Sequence, residues 1–202
     1  MPNSLELNVS PALLHTFAKH PFHVRKDMEM NELVDSIREN GVLTNLTVRR
    51  RAEGGYEIIS GHRRFHAAQR AGLDRVKVQV RDIDDDQAII SMVDSNIQRE
   101  HISPMEKARA YRMKYDALKR QGCRTDLTSP QVAANFRADD TVAKDAGISG
   151  DTVRRYIRLT ELTPELQQMV DEKKIALSPA YQIAALTPKE QGLLLETIDS
   201  EQ

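Results

Sequence analysis

The chain is nearly free of cysteine, since Cys123 is the only one among 202 residues. A lone cysteine excludes an internal disulfide, which fits a protein of the reducing cytoplasm. Basic residues flank Cys123 and can favour its thiolate form. No second cysteine accompanies it, so we interpret it as an incidental thiol in a connecting loop.

The sequence also lacks a strong net charge and a long apolar run. Its formal net charge is -1, so it has no global basic field of the kind that many nucleic-acid binders use. Any DNA-binding surface must therefore be a local patch. No apolar run is long enough to span a bilayer, and no signal-peptide pattern opens the chain. We expect no membrane partner, and a length of 202 residues allows one large or two small domains.

Residues 1–82 show helix and strand patterns after a featureless start. Residues 1–20 carry only a short apolar patch, and we expect a flexible segment or a short helix there. The following residues predict a helix at 31–40, strands at 46–51 and 56–60, a helix at 62–71 and a strand at 76–80. Gly54 and Gly55 suit a tight turn between the first two strands. This alternation predicts a small α/β domain.

From Asp84 onward the pattern is helical. Three consecutive aspartates begin one helix, where the macrodipole favours negative charge. Consecutive side chains point to different faces, which favours a helix cap over a metal site. Ser103, Pro104 and Glu106 form a capping-box pattern that begins a second helix. We expect this helix, residues 101–122, to bridge two domains.

The bridging helix carries an apolar stripe that must pack against something. Its members are spaced three or four apart and are Ala108, Tyr111, Tyr115 and Leu118. We expect the stripe to pack on the α/β domain in the free chain. Re-packing against a second copy is the alternative.

A glycine stands where the second strand meets the following helix, and two arginines follow in the first helical turn. Backbone N–H groups at the helix start and the guanidinium groups of Arg63 and Arg64 can face one phosphate, with Gly61 at the junction. The alternative is that both arginines are solvated helix residues. Asn96 and Arg99 lie three apart and share a helix face, where the amide can meet a metal or a base and the guanidinium a phosphate.

A helix-turn-helix pattern lies near the carboxyl end. Residues 141–146 predict a short helix, Gly147 a left-handed stop, and Ser149 or Asp151 the cap of a second helix. Val153 and Tyr156 are its expected core anchors. The residues expected to contact DNA are Lys144, Ser149, Thr152, Arg154, Arg155, Arg158, Lys173 and Lys174. A structural three-helix bundle is the alternative for the motif, and an exposed loop pair for the two lysines.

Three further helices are predicted beyond this motif. Pro164 is predicted to begin the first of them. The other two are predicted to begin at a capping residue followed by proline, Ser178 with Pro179 and Thr187 with Pro188.

These motifs resemble the ParB family of chromosome and plasmid partition proteins. Residues 61–64 (Gly-His-Arg-Arg) resemble its G-E-R-R box, residues 95–99 its E-N-x-x-R box, and residues 20–25 its N-P-x-Q-P-R box. Ser36, Ile37 and Gly41 follow its S-I-x-x-x-G pattern. The resemblance runs from about residue 20 to about residue 190. It looks nearest to ParB-like proteins of Gram-positive mobile elements.

The resemblance implies an α+β fold: a ParB/sulfiredoxin-like α/β domain at residues 21–100, then an all-α helix-turn-helix domain at residues 123–202. It implies a sequence-specific DNA-binding partition protein, a CTP-gated clamp on a parS-like or operator site. The implied partners are double-stranded DNA, a ParA-type ATPase and a second copy through the N-terminal domain. The implied location is the cytoplasm, on the nucleoid or a plasmid. The alternative is a nucleotide-independent transcriptional regulator of a mobile element.

The resemblance also implies a nucleotide site for CTP with Mg²⁺, in which Asn96 would ligate the metal. Its residues would be Gly41, Thr44, Asn45, Gly61, His62, Arg63, Arg64, Asn96 and Arg99. The chain departs from the family at four of these positions. Ser95 and His62 stand where acidic residues are usual, and Thr44 and Asn45 stand where glutamine and proline are usual. Loss of a carboxylate weakens a Mg²⁺ site. We therefore expect triphosphate binding, assign no catalytic residue, and leave open a weak CTPase activity.

Two expectations concern other classes and assembly. Sulfiredoxin shares this N-terminal fold, but its catalytic cysteine has no counterpart beside Gly61, which argues against that enzyme.

No heptad run follows Thr197, so the family's constitutive dimerisation element is not apparent. We expect a mainly monomeric chain that pairs on DNA or with nucleotide.

Overall fold

The structure is a computed structural model that describes residues 5–17, 20–22, 27–98, 102–124 and 138–200. The chain divides into two units, Met1–Ser95 and Asn96–Gln202. The division falls after Ser95 and not at residue 100. The first unit is α/β and the second is helical, so the predicted α+β class is confirmed. No helix among the described residues is long and apolar enough to cross a membrane.

The described part of the first unit contains one mixed sheet. Its strands are β1 (Leu5–Val9), β2 (Leu14–Thr16), β3 (Leu46–Arg50), β4 (Tyr56–Ser60) and β5 (Val76–Val80), in the order β1-β5-β3-β4-β2. The β3–β5 and β2–β4 pairs are parallel, and the β1–β5 and β3–β4 pairs are antiparallel. The three inner strands lie where the sequence predicts them, because each is a short apolar-rich run between turn signals, and buried residues alternate in β3 and β5.

Two helices complete the core beside this sheet. Helix α1 (Met28–Asn40) follows the cap residue Asp27, and α2 (His62–Ala71) follows directly from β4. Met30, Val34 and Ile37 are buried at helical spacing along α1 and share one core with Leu46 and Ile58 of the sheet. This packing fixes the ends of both helices, which carry most of the predicted nucleotide residues.

The start of the chain differs from the prediction of a flexible segment. Residues 5–9 and 14–16 are β1 and β2, the two edge strands of the sheet, with a 3₁₀ turn at Pro11–Leu13 between them. Only Val9 of β1 is buried, so local burial is a weak signal there. The strand forms because it pairs with β5, in the register Leu5↔Val80 to Val9↔Val76.

An ion-pair network joins β3, β4 and the next helix. Arg49 and Glu57 are cross-strand neighbours, and Arg49 Nε donates to Glu57 Oε2 at 2.7 Å. Arg49 Nη1 also donates to Asp85 Oδ1 at 2.5 Å. Burial would lower the pKa of Arg49, and the bonds to Asp85 and Glu57 outweigh it, so the pKa is raised. The charged pair of β3 and β4 is therefore largely buried yet satisfied.

Helix α3 (Asp85–Asp94) confirms the cap prediction for the three aspartates. Asp84 Oδ1 accepts the Gln87 N–H at 2.8 Å, and Gln87 Oε1 accepts the Asp84 N–H at 3.3 Å. Asp84 and Gln87 thus form a capping box, and Asp85 and Asp86 lie in the first turn. No group of three His, Cys, Asp or Glu side chains within the described ranges can hold a metal ion.

The second unit is built from helices. Its described elements are α4 (Pro104–Arg124), α5 (Ala138–Ala146), α6 (Gly150–Arg158), a 3₁₀ turn (Leu159–Glu161), α7 (Pro164–Asp171), α8 (Leu177–Ile183) and α9 (Pro188–Ser200). The cap predictions at Ser103 and Thr187 are confirmed by bonds to Glu106 and Glu190. The prediction for Ser178 is wrong. Helix α8 starts earlier, with Ala176 in the cap position, because its first turn packs into the core.

Helix α4 packs inside the helical unit, which corrects two expectations. Its neighbours are α5, α6, α7 and the 3₁₀ turn, so it is an integral helix of that unit. The apolar stripe of α4 packs within the helical unit and not on the α/β domain as predicted. Ala108 lies in the helical core, and the Tyr111 ring lies 5.6 Å from that of Tyr156. Residue 123 belongs to this helix and not to a loop. The predicted boundary loop beyond it lies outside the described residues.

Candidate functional site

The junction between β4 and α2 depends on glycine. Gly61 adopts φ 103 and ψ 21, in the left-handed region. A Cβ on Gly61 would lie 3.0 Å from Leu46 Cγ, in addition to the conformational strain. No side chain caps α2, so the first N–H groups of the helix are left for another acceptor. Such a helix start suits an anion.

Arg64 braces this turn against the loop before β3. Its Nη1 donates to the Thr44 carbonyl oxygen at 2.5 Å and to the Asn45 carbonyl oxygen at 3.1 Å. Burial lowers the pKa of the Arg64 guanidinium, although an arginine stays protonated at neutral pH. The structure thus brings residues 44–45 and 61–64 together, as the sequence predicts. It gives Arg64 a bracing role that the sequence did not indicate.

Arg63 faces carboxylates at the start of α1. Its Nη2 lies 3.3 Å from Glu29 Oε2 and 3.5 Å from Asp27 Oδ1. The Arg63 side chain is partly exposed, and Glu29 is well exposed. These are weak surface pairs, which an incoming polyanion can replace. Arg63 is thus both partly solvated and paired, and its role in a nucleotide site stays a prediction.

His62 is a packing residue in this structure. It is 2% exposed, and its ring centroid lies 4.0 Å from that of His20. His20 in turn packs on Phe22 and bonds its carbonyl oxygen through Nδ1 at 2.7 Å. The box at residues 20–22 therefore lies against residue 62, while residues 23–25 lie outside the described residues. Gly41, the remaining member of the first unit, ends α1 with φ 69.

The other predicted nucleotide residues follow α3. Asn96 is buried in a turn and Ser95 is exposed. Asn96 belongs to the second unit, and Arg99 lies outside the described residues. Their meeting with residues 61–64, and the role of Asn96 as a Mg²⁺ ligand, stay predictions.

The helix-turn-helix motif has the expected local geometry. Gly147 ends α5 with φ 68, and the Ile148 N–H donates to the Ala143 carbonyl oxygen at 3.0 Å. Ser149 caps α6, because its Oγ accepts the Thr152 N–H at 3.1 Å. Val153 is fully buried and anchors α6. The cap is therefore Ser149, and Asp151 lies in the first turn.

The predicted DNA-contacting residues differ in what they touch. Arg155 and Arg158 are exposed and form no ion pair within the described residues. Lys144 and Lys173 are also exposed, and Lys173 has a positive φ of 61 in the turn after α7. Thr152 is half-buried, and the Lys174 ammonium lies 2.7 Å from Glu172.

Arg154 differs from its neighbours because it is already paired. Its Nη1 donates to Asp139 Oδ2 and its Nη2 to Asp151 Oδ1. These bonds, that to Asp151 foremost, raise the pKa of Arg154. The sequence did not indicate this pairing, since Asp139 lies 15 residues earlier on α5.

Comparison with known proteins assigns both units. The family model for the ParB N-terminal domain matches residues 4–97, and that for the ParB HTH domain matches residues 131–202. The chain belongs to the ParB family. Because the ParB N-terminal model includes residues 4–20, the match agrees with β1 and β2 as parts of the domain.

Among the relatives is the chromosome-partitioning protein Spo0J of Thermus thermophilus, 35% identical over 162 residues, which cover 80% of this chain and 53% of that protein. Stage 0 sporulation protein J of Bacillus subtilis is 32% identical over 173 residues, which cover 84% and 55%. The chain thus spans about half the length of these curated relatives. The predicted likeness to mobile-element proteins is not confirmed.

Solved structures show the same fold. The C-terminally truncated ParB of Caulobacter crescentus, complexed to the centromeric parS site, has a TM-score of 0.58 at 24% identity, over 97% of this chain and 93% of that chain. A Pnob8-like ParB-N domain has a TM-score of 0.60 at 21% identity, over 96% and 84%.

Proposed function

We propose that this ParB family chain is a DNA-binding partition protein, with α5 and α6 as the helix-turn-helix that binds double-stranded DNA. The exposed Arg155 and Arg158 on a capped, core-anchored α6 carry the proposal, since they form no ion pair within the described residues. Arginine forks on such a helix suit phosphate oxygens or guanine edges. The names of the relatives and the parS complex of the Caulobacter protein support it.

A binding assay tests this part. The probes are a duplex that the wild-type chain enriches from a randomised library and a scrambled duplex of equal composition. Arg155→Ala or Arg158→Ala should weaken binding by about 5-fold to 150-fold if that residue reads a guanine. Lys189→Ala, an exposed cation on α9, is the matched control. Unchanged affinity in both arginine variants would refute α6 as the reading helix.

The second part of the proposal is a triphosphate site at the start of α2. The uncapped first turn, the partly exposed Arg63 and the loop held by Arg64 all lie in the first unit. Together they suit a polyphosphate, which helix-start N–H groups and guanidinium groups bind well. The choice of CTP rests on the family resemblance. Asn96 and Arg99 are proposed to complete the site, Asn96 with Mg²⁺ held weakly because Ser95 supplies no carboxylate.

Calorimetric titration with CTP, ATP, GTP and UTP, each with and without Mg²⁺, tests the site. Heat is expected with CTP above the others. Arg63→Ala should weaken CTP binding, and Arg70→Ala, at the far end of the same helix, should not.

The second candidate is a regulator that binds DNA without nucleotide. The pairing of Arg63 with Asp27 and Glu29 favours it, since those carboxylates already neutralise the arginine. No heat at millimolar nucleotide, with DNA present, would decide for it.

Assembly and location complete the proposal. We propose pairing through the N-terminal unit on DNA or nucleotide, a ParA-type ATPase partner, and a place on the nucleoid or a plasmid. The family resemblance and the partition relatives support these statements. A ligand closes a clamp only if it binds the closed form better. Light scattering over a tenfold concentration range should give a monomer alone and a dimer with the selected duplex and CTP. A stable dimer without either ligand would contradict this.

A further inference from the structure

The amino end of α6 is crowded with carboxylates. Asp139 and Asp140 come from the first turn of α5, and Asp151 from the first turn of α6. A Cβ on Gly150 would lie 2.9 Å from Asp140 Oδ1 and 3.7 Å from Asp139 Oδ2. The absence of a side chain at residue 150 therefore lets these groups lie against the helix start, where the macrodipole favours them.

The same carboxylates oppose the proposed function. In a helix-turn-helix, the N-terminal residues of the second helix meet base edges, while the first helix crosses the backbone. DNA carries dense negative charge, so uncompensated carboxylates at this end repel it. A local cation that pairs with them reduces this repulsion, and the chain's net charge of -1 supplies no global basic field.

Arg154 supplies that cation. One Nη atom donates to Asp139 on α5 and the other to Asp151 on α6, so a single guanidinium ties both helix starts together. Asp139 is 7% exposed, which makes its interaction with Arg154 costly to break. Reading a guanine would require the arginine fork to face the base. Both Nη atoms already serve the carboxylates.

We infer that Arg154 is a positioning residue of the DNA site, which neutralises Asp139 and Asp151 and fixes α6 against α5, and that it does not read a base. The inference rests on the proposed DNA-binding function. Base reading is left to side chains such as Arg155, which is exposed and forms no ion pair within the described ranges. Arg154 thus sets the affinity for all duplexes alike, whereas Arg155 sets the preference among them.

The test uses the full chain and the two duplexes described above. Arg154→Ala should weaken binding to both by a similar factor, about fivefold to tenfold, because the exposed Asp151 loses its cation and repels any phosphate backbone. The ratio of the two affinities should stay unchanged. Asp151→Asn combined with Arg154→Ala should regain most of the loss, because Asp151 is the exposed carboxylate of the two. Arg155→Ala should instead reduce the ratio.

A second variant guards against misfolding of Arg154→Ala. Asp151→Asn alone keeps the bond between Arg154 and Asp139, and it should bind both duplexes at least as tightly as the wild type. Thermal melting followed by circular dichroism confirms that each variant is folded. A selective loss for the enriched duplex in Arg154→Ala, or no recovery in the double variant, would overturn the inference alone. Failure of the wild type to enrich any duplex would refute the proposed function and the inference together.

Discussion

Arg64→Ala separates a residue that supports a site from one that only touches a ligand. In the structure without ligand, the Arg64 guanidinium already bonds the Thr44 and Asn45 carbonyl oxygens. Removing it should therefore destabilise the first unit even when no nucleotide is present. An arginine that only contacts a ligand would leave the stability of the free protein unchanged.

The magnitude follows from the two bonds. A hydrogen bond that involves a charged group contributes about 1.5–3 kcal/mol. Both bonds come from the same Nη1 atom, one of them is long at 3.1 Å, and both carbonyl groups can turn to water. We therefore expect a loss of about 1–2 kcal/mol in the free energy of unfolding of this unit, which is less than two independent bonds would contribute.

Amide hydrogen exchange measures this loss for one unit at a time. A destabilisation of about 1–2 kcal/mol speeds exchange through global opening by roughly 5-fold to 30-fold. The acceleration should appear in peptides that contain β3 and β4, and not in peptides from α6. Arg70→Ala is the matched control, because Arg70 lies on the same helix and, among the described residues, bonds only the exposed Asn31 side chain. Unchanged exchange in β3 and β4 of Arg64→Ala would refute the bracing role.

Three further changes test other contacts. Glu29→Gln should tighten nucleotide binding by about twofold to fivefold in calorimetry, because it removes a carboxylate that competes for Arg63. Glu57→Ala should lower the free energy of unfolding of the first unit by about 2–3 kcal/mol in hydrogen exchange, since Arg49 stays largely buried with Asp85 as its one remaining ion-pair partner among the described residues. Ser103→Ala should cost about 1 kcal/mol in the helical unit, measured by urea unfolding, through loss of the α4 cap.

Each of these three changes has a matched control variant at an exposed or uncapped position. Glu39→Gln, at the other end of α1, should leave nucleotide affinity unchanged. Glu53→Ala, on the turn after β3, should cost little, because its pair with Arg51 is at the surface. Thr163→Ala should also be tolerated, because this cap residue makes no side-chain cap bond. Equal effects within any pair would contradict the contact invoked for it.

The sequence alone determined the features that are encoded locally. The capping residues Asp84, Ser103, Ser149 and Thr187 lie where the pattern predicts them, because a cap is decided by residues three apart. The strands of the hairpin and β5 were predictable because they are short apolar-rich runs, partly alternating, between turn signals. The left-handed Gly147 followed from its place at the end of a helix.

Only the tertiary structure decided the features that join distant parts of the chain. Strand β1 has one buried residue, and its pairing with β5 spans about 70 residues, so no local window reveals it. The apolar pattern of α4 does not specify which surface its stripe packs against. In the structure, Tyr111 of the stripe packs on Tyr156 of the helical unit. Arg64 and Arg154 look like free site cations in the sequence. Their partners, Thr44 and Asp139, lie 20 and 15 residues away, and a hydrogen bond is specified by where the folded backbone brings two atoms together, which periodicity and caps do not encode.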